Sequence, residues 1–423
     1  MAAANVTRPR DLLHLMGMLK AADAGLAGWP ERYLRTAAAI ARFGDRVDRL
    51  APFLWQADPL ADDAVAALAD HPSRAALLDR VLRASPHDPV ALADAPAALR
   101  ALMESAWRVP FWVDWPAVDR GGRLLVRTGI IGGLVLGAKA LIYGYASPGG
   151  NKPLIFSGQL KASAPRRLNE TSRFVQAVTQ VGGMRAGADG FVITLKVRLM
   201  HAQVRRMILQ SGRWQPERWG APINQHDMAA TTLLFSSVTM EGLRQFGVLI
   251  SAQESTDYMH LWRYVGHLMG VTDELLSTSE SDGVAFTKLI ESTHAQPDDD
   301  SRALVRSLLE SGEHDPRATD EERETARKTR PIAHGICRGL LGDKLADALG
   351  VPETRMRHVV PAVRTLYSAI ELARQRSPRL AARMLRRGEK YWDTVVARGL
   401  GAATQAFALP ERLGGLDLGA FSA

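Results

Sequence analysis

The chain has 423 residues, 46% of them hydrophobic, and a formal net charge of +8. Its single cysteine, Cys337, excludes both a disulfide within the chain and a Cys-x-x-Cys-His site for covalent haem attachment. The basic residues are spread along the sequence without a stripe that alternates with aromatic residues, so we expect no nucleic-acid partner. The composition predicts a soluble globular protein that buries a large hydrophobic core.

Helix-length segments separated by glycine and proline indicate the fold class. Leucine, alanine and arginine are abundant, and alternating β-branched runs are scarce. We therefore predict a single all-α domain over residues 1–423, a globin-like or orthogonal multi-helix bundle. Its core would span residues 111–290, with N-terminal helices in residues 1–110, a charged exposed segment at 295–330 and basic amphipathic helices in residues 336–423.

The N-terminal part of the chain is predicted to form several helices over residues 10–105, followed by a tryptophan-rich connector at 110–123. Residues 1–10 contain neither an apolar signal core nor a twin-arginine leader, which predicts a cytoplasmic protein. Helix breaks are expected at the prolines of this part: Pro30, Pro59, Pro72, Pro86 and Pro89.

The longest apolar segment, residues 128–143, contains four glycines and is interrupted by Lys139. It is short for a membrane span, and its glycines lower its helix propensity. We predict a central buried helix over residues 124–145 that packs closely through its glycines, and no membrane-spanning segment. The small residues there also leave room for the flat edge of a cofactor or for an apolar substrate.

A helix predicted at about residues 191–211 places Arg198, His201 and Arg205 on one face, because they are spaced by three and four residues. The two arginines disfavour the imidazolium, so His201 is expected to be neutral, which is the form that binds a metal. The arginines could also neutralise two carboxylates of a group on this face. A haem meets both conditions, with its iron on His201 and its propionates on the arginines. The alternative is a hydrogen-bonded histidine between solvated arginines.

A second helix is predicted at residues 165–181. It would begin at Pro165, because proline is favoured in the first turn of a helix. Arg167 and Thr171 then lie one turn apart on this helix. Arg167 precedes His201 by 34 residues, since 201 − 167 = 34.

Together, the patterns Arg167-x-x-x-Thr171 and Arg198-x-x-His201-x-x-x-Arg205 resemble those of the latex-clearing-protein family and its MpaB-type relatives. That family consists of b-type haem proteins of bacteria and fungi. The resemblance implies one non-covalent haem b per chain, with His201 as the proximal iron ligand. It places Arg198 and Arg205 at the propionates. Arg167 and Thr171 would line the distal side, where Thr171 can hydrogen-bond oxygen or water.

The resemblance covers about residues 120–280, and residues 219–223 and 262–270 are similar to later segments of the family. Two residues depart from the pattern. Glu170 stands where the latex-clearing enzymes have a lysine that can approach the iron. Asn151 falls near the place of their catalytic carboxylate, in a stretch that we expect to be flexible. These departures argue against rubber itself as the substrate more than against haem.

The resemblance implies a haem-dependent oxygenase that acts with dioxygen on a small apolar substrate of isoprenoid type. In such an enzyme Glu170 is either a proton donor or acceptor beside the iron, or a residue that faces solvent. Two other functions stay open. One is a non-catalytic haem-binding sensor or carrier, which the two departures favour. The other is a haem-free helical interaction protein.

Four further residues have side chains that can ligate a metal, and a structural role is expected for each. His260 and His267 lie two turns apart on a helix predicted through residues 254–269, a pattern more typical of one core and one surface histidine. Cys337 is interpreted as a small core residue rather than a thiolate ligand. His226 is assigned to loop or capping chemistry.

Two features near helix ends complete the prediction. Asp227 is expected to cap a helix at about residues 228–246. The helix after Pro378 carries four arginines on one face, which we interpret as a solvated surface: Arg379, Arg383, Arg386 and Arg387.

Overall fold

The computed structural model describes residues 28–410 except residues 70, 72, 87, 157–159, 401–406 and 408. Within these residues the chain forms helices and no strand, apart from an isolated bridge between Tyr33 and His294. The all-α prediction is confirmed. Residues 1–10 and the helix predicted to start near residue 10 lie outside the described residues, as does Pro72.

The N-terminal part contains five helices within the described residues. They are α1 (Ala37–Phe43), α2 (Pro59–Ala67), α3 (Arg74–Arg83), α4 (Pro89–Leu92) and α5 (Ala97–Trp107). Pro59 and Pro89 each stand at a helix start behind a capping aspartate, so the predicted breaks there are confirmed. Two 3₁₀ segments, Gly44–Arg46 and Asp48–Leu54, join α1 to α2.

The middle of the chain contains the long helices of the core. They are α6 (Trp115–Thr128), α7 (Ile130–Val135), α8 (Leu141–Gly144), α9 (Lys152–Phe156), α10 (Leu160–Thr179), α11 (Asp189–Gln210), α12 (Pro216–Trp219), α13 (Gln225–Leu233), α14 (Thr239–Gln245), α15 (Ala252–Leu268) and α16 (Glu280–Glu291). A π-helical turn over Leu136–Ala140 joins α7 to α8, and a second one over Leu234–Val238 joins α13 to α14.

The C-terminal part forms α17 (Asp299–Leu309), α18 (Asp320–Leu341), α19 (Asp343–Ala348), α20 (Val359–Arg376) and α21 (Pro378–Leu400). Short 3₁₀ turns lie at Asp273–Leu275, Ser311–Glu313 and Arg355–His358. Residues 295–330, the charged segment that we predicted to be exposed, are exposed only in part, because α17 buries Leu304, Val305 and Leu308.

The centre of the fold is α6, which packs along α15 and also contacts α10 and α21. Two consecutive glycines permit this contact. A Cβ on Gly121 would lie 2.4 Å from the backbone oxygen of Asp257 on α15. A Cβ on Gly122 would lie 2.0 Å from the backbone oxygen of Thr179 on α10. Helix α11 packs next to α10 and also against α2 and α15, so the predicted site helices are neighbours.

Three predicted helix boundaries are wrong, each for a local reason. The central helix over residues 124–145 is broken at Gly129, whose φ of +51° is a conformation that glycine adopts readily. Helix α10 begins at Leu160, so Pro165 lies inside it. Helix α13 begins at Gln225, because Asn224 caps it by accepting a hydrogen bond from the Asp227 backbone N–H at 2.9 Å.

Among the described residues, no single helix is both long and apolar enough to cross a membrane. The segments Trp115–Thr128 and Ile130–Gly144 reach the required length and composition only as a pair, which is bent by 91°.

Candidate functional site

The predicted face of α11 packs against the start of α2. Arg198 donates to the Asp58 carboxylate from Nε at 2.6 Å and from Nη2 at 2.9 Å, and its Nη1 donates to the backbone oxygen of Leu268 at 3.2 Å. The two side chains are 7% and 5% exposed. Asp58 also caps α2 by accepting from the Ala61 backbone N–H. A carboxylate of the protein itself therefore neutralises Arg198 in this structure.

Arg205 is held in a similar way. Its Nη1 pairs with Asp62 in the first turn of α2, and its Nε and Nη2 donate to the backbone oxygens of Pro222 and Ile223, each at 2.9 Å. Ile223 has a φ of +54°, which is strained for a β-branched residue, and Arg205 fixes this turn. Both arginines thus have protein partners, and their role at propionates stays a prediction.

His201 lies half-buried on the same face, and its Nδ1 is buried without a hydrogen-bond partner among the described residues. The pKa of His201 is lowered to about 4, chiefly by burial and also by the charge of Arg205, while Asp58 acts in the opposite direction. The ring is therefore neutral near pH 7, as expected, although burial rather than the arginines is the main cause. A neutral imidazole with an unpartnered nitrogen is available to a ligand or a metal.

Arg167 lies on α10, the helix next to α11. Its Nε and Nη1 are buried and lack a hydrogen-bond partner among the described residues. Its charge acts on Tyr145: burial raises the pKa of that phenol, and Arg167 counteracts part of the rise. Arg167 is therefore a half-buried cation with two buried and unused donors, beside a tyrosine that the sequence did not single out.

Glu170 is neither a fully solvated residue nor an unpaired carboxylate. Its Oε1 accepts a hydrogen bond from Nε of Arg166, one turn earlier on α10, at 2.9 Å, and its side chain is 16% exposed. Among the described residues, no hydrogen bond or ion pair joins Arg167, Glu170 or Thr171 to His201. The two predicted patterns thus lie on adjacent helices without direct polar contact.

The stretch around Asn151, which we expected to be flexible, is packed. Asn151 is 1% exposed, and its Nδ2 donates to the backbone oxygen of Tyr145 and to Oγ of Ser301, each at 2.9 Å. The next residue, Lys152, pairs with Asp300 at the start of α17. Asn151 Oδ1 is buried without a partner in the described structure. The two hydrogen bonds of Nδ2 therefore fix the orientation of the Asn151 amide, and its Oδ1 accepts no hydrogen bond.

Unpartnered buried polar atoms are uncommon in folded proteins, and each one needs an explanation. Among the residues that have such atoms are three that the sequence connected with the site: Asn151, Arg167 and His201. Their unused atoms are one amide acceptor, two guanidinium donors and one imidazole nitrogen. The described residues contain no group of three His, Cys, Asp or Glu side chains that could hold a metal ion by themselves.

The other candidate ligands have structural partners. His260 Nε2 accepts from the Asp114 backbone N–H at 2.9 Å, and His267 Nδ1 is 2.8 Å from Oδ1 of Asp273. Cys337 is fully buried, and burial raises the pKa of its thiol to about 12. The four arginines of α21 are exposed, in agreement with a solvated face.

His226 belongs to a buried cluster at the N-terminal end of α13. Its Nδ1 lies 3.0 Å from Oδ1 of Asp227, whose Oδ2 accepts from the Tyr33 hydroxyl at 2.6 Å. The ring of His294 contacts those of Tyr33 and His226 edge-on, with centroids 6.5 and 5.8 Å apart. Burial, together with a smaller effect of His226, lowers the pKa of His294 to about 3. This cluster fixes the N-terminal segment on the bundle.

Sequence reasoning missed Asp58, Asp62 and Tyr145. A local signal existed for Asp58, because an aspartate before a proline is typical of a helix start. Nothing local could connect it with Arg198, which lies 140 residues later in the chain. For Tyr145, the preceding apolar segment predicted burial but no polar function.

Comparison with known proteins gives the family. Residues 127–372, more than half of the chain, match the family model described as "ER-bound oxygenase mpaB/B'/Rubber oxygenase, catalytic domain". The rubber oxygenase of Streptomyces sp. (strain K30) is 28% identical over 344 residues, which is 80% of each chain. The structure of a latex clearing protein in the closed state aligns with a TM-score of 0.60 and 22% identity, covering 81% of this chain and 90% of that one. The chain therefore belongs to the mpaB/rubber oxygenase family.

Proposed function

We propose that this protein is a haem b-dependent oxygenase that acts with dioxygen on an apolar substrate of isoprenoid type. The single observation that carries the proposal is His201, a neutral imidazole with a buried and unpartnered nitrogen in the pattern of an oxygenase family. A b-type haem needs only one or two protein ligands, so the lack of a cluster of three among the described residues fits this cofactor.

The residues present fit a haem in two further respects. Arg167 offers two buried donors without partners, which suits a carboxylate or bound oxygen. The burial that keeps His201 neutral also keeps it competent as a ligand across the physiological pH range. Haem, when bound, would supply the redox chemistry for dioxygen. In this proposal His201 would hold the iron, and Arg167 and Thr171 would bind and orient polar groups of the cofactor or of bound oxygen.

The cofactor assignment is tested with the absorption spectrum of the purified protein. His201→Ala should abolish the Soret band and leave the far-UV helical signal unchanged. His267→Ala is the matched control, because this histidine is paired with Asp273 at the helix surface and should leave the Soret band intact. Full haem retention in His201→Ala would remove His201 from the site.

A non-catalytic haem binder is the second candidate, and Asn151 is the observation that favours it. An amide cannot act as a general base, and this one spends its donors on Tyr145 and Ser301. Oxygen consumption by the haem-loaded protein with unsaturated isoprenoids separates the two functions. Consumption that depends on the substrate supports the oxygenase, whereas haem binding without consumption supports the sensor or carrier.

A further inference from the structure

The turn between α5 and α6 projects one large apolar side chain straight into solvent. Phe111 has 112% of its reference surface exposed. Val109, two residues earlier, is 42% exposed. A phenylalanine side chain stabilises a fold when it is buried rather than exposed, and a turn of this kind accepts most residues. The fold itself therefore gives no reason for phenylalanine at this position.

The turn around Phe111 is firmly held. The Val113 N–H donates to the Pro110 carbonyl at 3.1 Å and closes the turn, and the Asp114 N–H donates to His260 Nε2 at 2.9 Å. The next ring, Trp112, lies edge-on to His260 with the centroids 5.6 Å apart. Phe111 is consequently displayed on a rigid base.

Two arginines cover the tryptophans that flank Phe111. The guanidinium of Arg263 lies 3.9 Å from the ring centroid of Trp112, and that of Arg185 lies 4.2 Å from the centroid of Trp115. Arg185 also pairs with Asp119 at 3.1 Å, whereas Arg263 makes no ion pair among the described residues. The Nε of Arg263 is buried without a hydrogen-bond partner there, so its Nη groups are the donors left for an outside anion. The base of the projecting ring thus combines partly exposed indoles with one cation whose counter-charge is missing.

We propose that this surface, which we call the aromatic turn (residues 108–115 with Arg185 and Arg263), docks on an anionic lipid surface. Phe111 and Val109 would enter the boundary between headgroups and acyl chains. Trp112 and Trp115 would lie at the level of the headgroups, where indole rings are favoured. Arg263 would bind a lipid phosphate while its aliphatic stem stays against the Trp112 ring.

A lipid surface fits the aromatic turn better than a protein groove does. A single ring that projects from a turn can be buried on all sides by acyl chains, and the unpaired arginine beside it can bind an anionic headgroup. The binding itself does not depend on the proposed oxygenase function. Its use, the uptake of an apolar substrate from lipid, rests on that function.

Flotation with lipid vesicles tests the inference. The full-length protein is mixed with vesicles of phosphatidylcholine alone or with added phosphatidylglycerol, and it should float with the anionic vesicles. Phe111→Asp should weaken this partition about 10–100-fold, given the apolar area that a phenylalanine inserts. Phe111→Trp should retain it. Since Phe111 is fully exposed, the variants should keep the wild-type circular dichroism.

Two further variants test the contribution of the Arg263 charge to vesicle binding and the location of the docking surface. Arg263→Gln should reduce binding to anionic vesicles and lessen its salt dependence, because it removes one phosphate partner from a protein that keeps a net positive charge. Leu366→Asp on α20 is the matched control: Leu366 is 65% exposed, lies outside the aromatic turn and should leave flotation unchanged. Wild-type protein that floats with neither vesicle, or Phe111→Asp that floats like the wild type, would overturn the inference. Loss of flotation in Leu366→Asp alone would move the docking surface to α20.

Discussion

The buried pair of Arg198 and Asp58 is expected to stabilise the fold whether or not a cofactor is present. Asp58→Asn keeps the side-chain size and an acceptor for the α2 cap but removes the negative charge. Arg198, only 7% exposed, would then keep its positive charge without a counter-ion. Loss of one partner from such a buried pair costs about 3–5 kcal/mol. We therefore expect the free energy of unfolding, measured by urea denaturation and circular dichroism, to fall by about this amount.

Two comparisons make this prediction decisive. The exposed pair of Arg35 and Asp48 has the same two-pronged geometry, with both side chains 48% exposed, so Asp48→Asn should change the stability much less. Combining Asp58→Asn with Arg198→Met should recover most of the loss, because the buried charge is gone. A cost for Asp58→Asn no larger than that for Asp48→Asn would refute the reasoning. A cost seen only in the haem-loaded protein would instead place Arg198 at the cofactor.

Three other perturbations have defined outcomes. Gly122→Ala should destabilise the protein by about 1–3 kcal/mol, because the added Cβ would lie 2.0 Å from the backbone oxygen of Thr179. Gly137→Ala is the control: nothing lies within 4 Å of its Cβ, so the substitution should be neutral or stabilising. Urea denaturation compares the stability of the two variants. His294 has a folded pKa of about 3, below its usual 6.5, so the unfolded chain binds more protons between these values. The contribution of His294 to the free energy of unfolding is therefore complete above pH 6.5 and declines by about 1.4 kcal/mol per pH unit below it. His294→Gln should remove this contribution from the pH dependence of unfolding. An unchanged slope would contradict the lowered pKa of His294. Arg167→Met should increase the rate of haem loss to apomyoglobin, whereas Glu170→Gln should not if Glu170 serves only as the partner of Arg166.

The sequence predicts those parts of this protein that depend on residues close together in the chain. The bounds of α11 and α15 follow from apolar residues at helical spacing, and α15 also has a capping box at Ser251. The shared face of Arg198, His201 and Arg205 follows from their spacing. Pairings over long distances in sequence leave no such pattern. Nothing in the sequence of α2 indicates that it supplies the counter-charges to α11.

The local sequence mispredicts both the start of α10 and the order around Asn151, and the two errors have the same kind of physical cause. Pro165 is a strong signal for a helix start, yet α10 begins five residues earlier, so contacts elsewhere in the fold outweigh the lost hydrogen bond. The glycine-rich stretch around Asn151 has the composition of a mobile loop, and its order comes from distant partners, Ser301 and Asp300. In both cases the local preference is weak compared with tertiary contacts.

The two π-helical turns, Leu136–Ala140 and Leu234–Val238, each hold one residue more than a regular helix would. An α-helix turns by about 100° per residue, so one extra residue in regular helical geometry would rotate everything after it by that angle. A π turn takes up the extra residue locally, and the segments on either side keep the faces that they present to the fold. Deleting one residue from Leu136–Ala140 should therefore restore an ordinary helix and leave Tyr143 and Tyr145 in their present surroundings, whereas one deletion inside the regular helix α11 should rotate the part that follows. An alignment with a relative that lacks the turn needs a one-residue gap inside a helix.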